Sequence, residues 1–471
     1  MLLNVFGLAR VKGEGVRGFV FTQGAAFYRV KDSTPPMAMS LARRRKLLRY
    51  AELKPPSPGA AATPSLSAID GIDMTLNPLR LAKNEEKRLR AGHLWIFSNE
   101  VDTAQTPLKA FKPGDLALVE DAKGQALGVA YVNPDTLISA RVLSRDPRAK
   151  INEKFFIRRL ETALALRQRL FDRPFYRLVH GESDGLPGLV VDRFGDVLSV
   201  QTNTFGMEKL QPTLLAALEK LLSPRAIVLK NTSSLRQLEG LEEYTKVASG
   251  TLDGLVEIEE NGVKFLVDCL GGQKTGWFFD HRSNRALAAG LAKGQRVLDL
   301  FSYAGGWGIQ AAAAGAEEVD CVDGSEAAIA LARKNAELNG VADQVNYEHG
   351  DVFDFLKLAR EERRKYGLII LDPPALIKRK KDVKAGIEAY RRLNQGALQL
   401  LAPGGVLVSA SCSHHLHREV LHDILRAAAR HGDRHLVFIS QGGQGPDHPV
   451  HPAIPETDYL KAFFCGVAES L

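Results

Sequence analysis

Cysteine is scarce. The chain has only four, Cys269, Cys321, Cys412 and Cys465, which stand far apart with no CxxC pair and no Cys/His spacing of zinc-finger type. That argues against a disulfide framework. No apolar run reaches the ~18 residues expected of a membrane span, and the N-terminus lacks a signal peptide's order of charged, apolar and small residues. A reducing cytoplasm is the expected compartment, with no membrane partner. Composition shows no bias that would prevent folding: 45% of residues are hydrophobic and 25% charged, close to globular usage. At ~150 residues per domain, the 471 residues suggest about three domains.

The formal net charge of +7 would by itself suggest an acidic partner such as nucleic acid. Its distribution weakens that inference. Residues 1–73 carry 11 basic and 5 acidic residues, and the rest of the chain is nearly neutral. This stretch contains RRRK at Arg43–Lys46 and PPSPGAAATP from Pro55, has little periodicity, and stops where regular patterning begins at Met74. It reads as a poorly ordered basic extension. A disordered arm and an Arg-rich targeting segment compete with the favoured expectation, upstream sequence ahead of a natural start at Met74.

Over 74–150, short apolar runs (LWIF, LALVED, ALGVAYV, SARVLS) alternate with Gly, Pro and Asp turns, which predicts a small β-rich barrel. Over 151–270, an amphipathic helix (FFIRRLETALALRQRLF) precedes strand-like YRLVHG, LPGLVVDRFGD and VLSVQTN. A helix near Glu208–Leu222 and strands at AIVLK, LVEIEE and KFLVD complete a small α+β domain. Over 271–471, strictly from Gln295, β-like and helix-like segments alternate, which specifies a doubly wound, mostly parallel α/β sheet. LVFIS and KAFFCGV would close it with one antiparallel strand, as in Rossmann-like class I methyltransferases.

Ligands of open α/β sheets bind at the carboxyl ends of the strands. The first strand ends Asp299-Leu300-Phe301 and enters Ser302-Tyr303-Ala304-Gly305-Gly306-Trp307-Gly308, where missing side chains let a ligand approach amides at a helix N-terminus. The same glycines also suit plain helix packing, and dinucleotide enzymes use similar loops. Asp323, at the second tip, is placed to accept both hydroxyl protons of a ribose. Ser325 reads as a helix cap or a ligand contact, and Asp351, at the third tip, as a cap or a partner for an adenine amine.

The fourth strand ends Asp372-Pro373-Pro374, a stiffened loop. Lys378-Arg379-Lys380-Lys381 follows, either a nucleic-acid contact or a solvated loop. At the fifth tip, Ser411-Cys412-Ser413 sets a thiol beside the same crevice, whereas Cys269, Cys321 and Cys465 sit in apolar strand patterns. Pyrimidine C5 is a poor nucleophile. Thiolate addition at C6 makes it enamine-like and able to attack a methyl sulfonium, a role open to Cys412. His414, His415, His417 and His422 lack a matching acidic or Cys ligand set, so a metal is not expected.

KNEEKRLRAGHLWIFSNEV resembles the start of a PUA domain, an RNA-binding module. Its Lys87, Arg88 and Arg90 are candidates to meet phosphates, or form a solvated turn beside Glu85 and Glu86. From Leu76 to Val467 the chain resembles the bacterial large-subunit (23S) ribosomal RNA cytosine-5 methyltransferase family. The blocks that carry this are LAKNEEKRLRAGHLWIFSNEV, GLPGLVVDRFGD, GGQKTGWFFDHR, VLDLFSYAGGWGIQAAAAGA, LDPPALIKRKKD, SCS and DHPVHPAIPETDYLK.

The resemblance implies S-adenosylmethionine held by Ser302, Tyr303, Gly305 and Gly306, with Asp323 on the ribose, Asp351 and Val352 around adenine, and Asp280 and Arg282 walling the pocket; Ser325 is a further cofactor-binding candidate. It also implies Cys412 as nucleophile and Asp372 near the transfer site, bonding cytosine N3; no residue is assigned to removing the C5 proton. Ribosomal RNA becomes the expected partner, touched by Lys378, Arg379 and Lys380, with a homodimer as one candidate assembly. Two departures bear on base recognition: Ala375 stands where better-known members often carry Lys, and His414 and His415 follow SCS. The competing readings are guanine-N7 methylation, which needs no thiolate, and a catalytically silent RNA-binding or ribosome-assembly factor. A nicotinamide dehydrogenase is disfavoured because DPP and SCS have no evident hydride-transfer role.

Overall fold

Runs such as Val297-Leu298 and Leu368–Leu371 are fully buried, as strands covered by helices on both faces must be. The computed structural model describes residues 76–469, so the extension expected over 1–73 lies outside the described residues. The alternating carboxyl-terminal region forms one seven-stranded sheet from β1 (Arg296–Leu300), β2 (Glu318–Asp323), β3 (Val345–His349), β4 (Tyr366–Leu371), β5 (Leu401–Ser411), β6 (Arg434–Gly442) and β7 (Lys461–Glu469). The order is β3-β2-β1-β4-β5-β7-β6. Pairing is parallel through β5, and β7 runs antiparallel to both its neighbours. The order reverses beside β1, so the tips of β1, β2, β4 and β5 converge on one crevice.

The central region is a second five-stranded sheet, covered on one face by helices Glu153–Leu170 and Gln211–Leu222. Its edge strand Tyr244–Gly250 was not expected from the sequence: YTKVASG is largely exposed and offers no apolar alternation. The hairpin of Val256–Glu260 with Val263–Val267 is a separate two-stranded sheet whose core is shared with both neighbours. Ile258, Phe265 and Val267 pack in one cluster with Phe194 and Val228 of the central sheet and with Trp277, Ala304 and Trp307 of the next domain. Asn335, on the helix after β2, clamps the hairpin by accepting from Leu266 N at 2.6 Å.

Before these lies a five-stranded sheet built from Asn77–Arg80, Trp95–Phe97, Asp115–Glu120, Ala126–Val132 and Ile138–Ser144. Its outer strands are joined through an isolated Leu81–Val101 bridge. That closes a small barrel around Leu79, Ile96, Val119, Val132 and Val142. Among the described residues no helix is long and apolar enough to cross a membrane.

Candidate active site

The chain turns sharply where β1 ends. Phe301 and Tyr303 take left-handed φ of 64° and 49°, and Gly305 takes 79°. Two non-glycine residues held there mark a turn imposed by its surroundings. A Cβ on Gly305 would lie 2.4 Å from Ile309, and one on Gly308 2.7 Å from Cys321 Sγ. These two glycines are therefore required by the packing of the following helix, while Gly306 would meet Arg285 at 3.1 Å. What the turn presents to a ligand is polar. Ser302 Oγ is buried with no hydrogen-bond partner in the described structure, as is Asp299 Oδ1. Asp299 Oδ2 accepts from Gly308 N at 2.8 Å. Burial pushes the Asp299 carboxyl up to about 7 despite that bond.

Asp323 is half-buried at the tip of β2. Its Oδ2 accepts from Tyr303 N at 2.9 Å and its Oδ1 from Ser325 N at 2.8 Å. Each oxygen keeps lone-pair capacity for a further donor, as a ribose diol requires. Tyr303 points its hydroxyl away, bonding Gly276 O at 3.2 Å. Three of the expected cofactor contacts also serve the fold. Ser325 caps the next helix through Ala328 N at 3.3 Å, and Asp351 caps Val352–Glu361 through Phe353 N at 2.8 Å. Val352 packs in the core at 2% exposure. The physical reason is common to the two polar residues: orphan amides at a helix start take the nearest side-chain oxygen.

Asp372, ending β4, is held from two sides. Trp307 Nε1 donates to Oδ2 at 3.0 Å, and His281 Nε2 lies 3.2 Å from Oδ1. Burial would raise this carboxyl, but His281 and the two hydrogen bonds hold it below the usual range. Ionised, it can only accept, so at cytosine N3 it can bond only a protonated nitrogen. Asp280 is likewise kept ionised: burial opposes it, but His448, Lys274, His281 and the hydroxyl of Tyr459, 2.6 Å away, outweigh that. Its Oδ1 is buried and has no hydrogen-bond partner in the described structure.

Arg282 corrects the expectation drawn for it. Its guanidinium bonds the Phe175 carbonyl and lies 4.4 Å from the Phe171 ring centroid, turned toward the central domain rather than walling the pocket. A permanent cation finds acceptors and ring faces there. His281 occupies the wall instead, 5.0 Å from the Trp307 ring.

At the tip of β5 the two serines of SCS are fully buried and Cys412 is partly exposed. Tyr390 joins them: Ser411 Oγ donates to its hydroxyl at 2.8 Å, and Ser413 Oγ lies 3.0 Å from it. Ser413 Oγ also accepts from Ile377 N at 3.2 Å, tying this tip to the loop after Asp372. The serines anchor the turn on either side of Cys412. Burial pushes the Cys412 thiol up; Lys274 opposes this and Asp372 and Asp280 add to it.

The basic candidates divide into two groups. Arg88 is structural: it pairs with buried Glu100 and lies 4.8 Å from the Phe97 ring. Arg90 bonds Asp121 at 3.2 Å, and Lys87 is exposed. Lys378, Arg379 and Lys380 are exposed in the segment that follows Asp372, with no ion pair among the described residues.

Sequence reasoning missed Asp299, His281, Trp307, Tyr459 and Lys461. Asp299 carried a signal, a lone carboxylate inside an apolar strand. Tyr459 and Lys461 gave none beyond their place in the DYLK block, since only folding brings Tyr459 against Asp280 and Lys461 against the Ser413 carbonyl. The three carboxylates of Asp280, Asp299 and Asp372, two of them ionised, fit a cationic ligand, and Asp323 with Ser302 fits a nucleoside. S-adenosylmethionine is both.

The family model described as S-adenosylmethionine-dependent methyltransferase matches residues 183–463, and that of a PUA-like domain matches 79–145. The ribosomal RNA large subunit methyltransferase I of Erwinia tasmaniensis is 40% identical over 394 residues, covering 83% of this chain and 99% of that protein. Its counterpart from Cronobacter sakazakii is 38% identical over the same shares. Among solved structures, a SAM-dependent methyltransferase from Streptococcus mutans covers 83% of this chain and 100% of its own, with a TM-score of 0.70 at 20% identity. Another, a methyltransferase complexed with SAH, gives 0.71 at 21% identity over the same shares. At that identity the likeness concerns the fold.

Proposed function

Because the chain belongs to the ribosomal RNA large subunit methyltransferase I family, we propose that it methylates C5 of a cytosine in large-subunit ribosomal RNA, with Cys412 as nucleophile. It is an S-adenosylmethionine-dependent methyltransferase. When bound, S-adenosylmethionine supplies an electrophilic methyl group. Ser302 and Asp323 would hold the nucleoside part, and the carboxylates of Asp280 and Asp372 favour the positive charge.

The observation that supports the nucleophile is the placing of Cys412, a partly exposed residue, between two anchored serines on a tip bonded to the loop after Asp372. The Cys412 thiolate forms a bond to C6 as the C5–C6 π pair moves into the ring. C5 would then form its bond to the methyl group as the sulfonium S–CH3 pair returns to the donor sulfur, which leaves as a neutral thioether; the C5 proton passes to water, its C–H pair rebuilds the C5–C6 double bond, and the S–C6 pair returns to the Cys412 sulfur. Asp372 accepts a hydrogen bond from the base once N3 is protonated. Exposed Lys378, Arg379 and Lys380 meet the RNA backbone. We assign the protein to the cytoplasm, where such a thiol stays reduced.

RNA containing 5-fluorocytidine tests this, because fluorine at C5 cannot leave as a cation and the adduct persists. A protein–RNA adduct present in wild type and absent in Cys412→Ser is expected, with cofactor binding by calorimetry retained. Methylation by Cys412→Ser at the wild-type rate would overturn it. One observation favours a second reading: the Cys412 thiol is pushed up by burial, and guanine N7 has its own lone pair and needs no thiolate. Turnover without any adduct would favour guanine.

A further inference from the structure

Lys461 opens β7 directly opposite Ser411, the residue before Cys412. It is 6% exposed, an unusual position for an ammonium group. Its Nζ donates to Ser413 O at 2.8 Å and to Tyr459 O at 2.7 Å. No carboxylate lies within ion-pair distance of it among the described residues. Two carbonyls take two of its hydrogens, and Cε takes a third tetrahedral position. One position on nitrogen is left, and the bond to Ser413 O together with the pairing opposite Ser411 sets it beside the turn that carries Cys412; the two groups also interact electrostatically.

We propose that Lys461 activates Cys412: its neutral amine takes up the proton that Sγ releases, and the resulting ammonium stabilises the thiolate. The proton leaves sulfur, the S–H pair stays on sulfur, and the nitrogen lone pair forms the new N–H bond. This deepens the nucleophile reading above and rests on it. Lys461 acts through Cys412 and is thus a positioning and proton-accepting residue rather than one that touches the base.

The charges around the pair are mixed. Cys412 also faces Lys274, Asp372, Asp280 and the hydroxyls of Tyr459 and Tyr390; Lys461 also faces Asp458, Arg418 and His414. Burial brings the Lys461 ammonium down to about 8 against the influence of Cys412. The amine is therefore available near physiological pH, as an ordinary lysine's is not.

The test is the pH dependence of iodoacetamide alkylation of Cys412 in the full chain, followed by mass spectrometry. Lys461→Met is expected to slow alkylation near neutral pH about tenfold and to move its inflection up by about one unit. Lys461→Arg, a cation that does not titrate, restores part of the rate. Superimposable profiles for wild type and Lys461→Met would overturn the proposal. If Lys461→Met does not fold, Cys412→Ser gives the reciprocal measurement: the pH at which Lys461 becomes open to acetylation must fall when the thiol is removed, and an unchanged value overturns the pairing. Failure of the two readings is distinguishable. A shifted profile with no 5-fluorocytidine adduct sinks the nucleophile and leaves the pairing. Equal adduct formation by wild type and Lys461→Met at every pH sinks the pairing and leaves the nucleophile.

Discussion

The indole nitrogen of Trp307 donates to Oδ2 of Asp372 across 3.0 Å, joining the turn after β1 to the tip of β4. With His281 on the other oxygen, the carboxylate has a fixed plane. Trp307→Phe keeps an aromatic ring and deletes the donor. A hydrogen bond to a charged acceptor is worth about 1.5–3 kcal/mol, so kcat for methyl transfer is expected to fall roughly tenfold or more. Cofactor affinity by calorimetry should change by less than about threefold. An unaltered kcat would show that this bond does not position Asp372.

Tyr390 holds both serines around Cys412. Tyr390→Phe takes one hydrogen-bond partner from each of two buried hydroxyls, at a cost of about 1–3 kcal/mol. A lower Tm with faster alkylation of Cys412 is expected as the turn loosens. A variant that melts like wild type would mean the serines find other partners.

Asp299 titrates at about 7 in the folded protein, well above its unfolded value of about 3.9. Between these pH values the native state holds a proton that the unfolded state releases, so this group's contribution to stability is complete below pH ~4 and is lost as pH rises through 7. Asp299→Asn should flatten that dependence, by up to roughly 4 kcal/mol across the window if nothing else responds. Denaturant midpoints measured in parallel for both proteins without cofactor give the difference, and parallel curves would refute the assignment.

Replacing Lys378, Arg379 and Lys380 together by Gln is expected to weaken RNA binding and reduce the slope of log K against log salt by about two to three. Arg88→Gln should instead lower Tm and leave the slope unaltered, because Arg88 is committed to Glu100 and Phe97. The opposite pattern would transfer the RNA contact to the barrel.

The seven-stranded sheet was legible because a buried parallel strand writes itself as a short apolar run, and the tip residues follow from where each run stops. Asp323, Asp372 and Cys412 were found that way. Ser325 and Asp351 occupy tips too, but a helix start and a ligand want the same side chains, and only geometry separates the two uses. Arg282 illustrates a different limit: adjacent residues on a short helical turn point apart, so His281 faces Asp372 while Arg282 faces the central sheet. Tyr459 and Lys461 reach the site from a strand inserted out of order, a pairing that no local pattern encodes.

The hairpin between Val256 and Val267 buries its side chains in a cluster shared by two sheets. A seam filled in this way is not a hinge, and its two sides should melt together as a single calorimetric transition. Whatever bending is needed to bring a stacked base to the thiol therefore falls on the nucleic acid, and the enzyme acts as an anvil against which the strand is distorted.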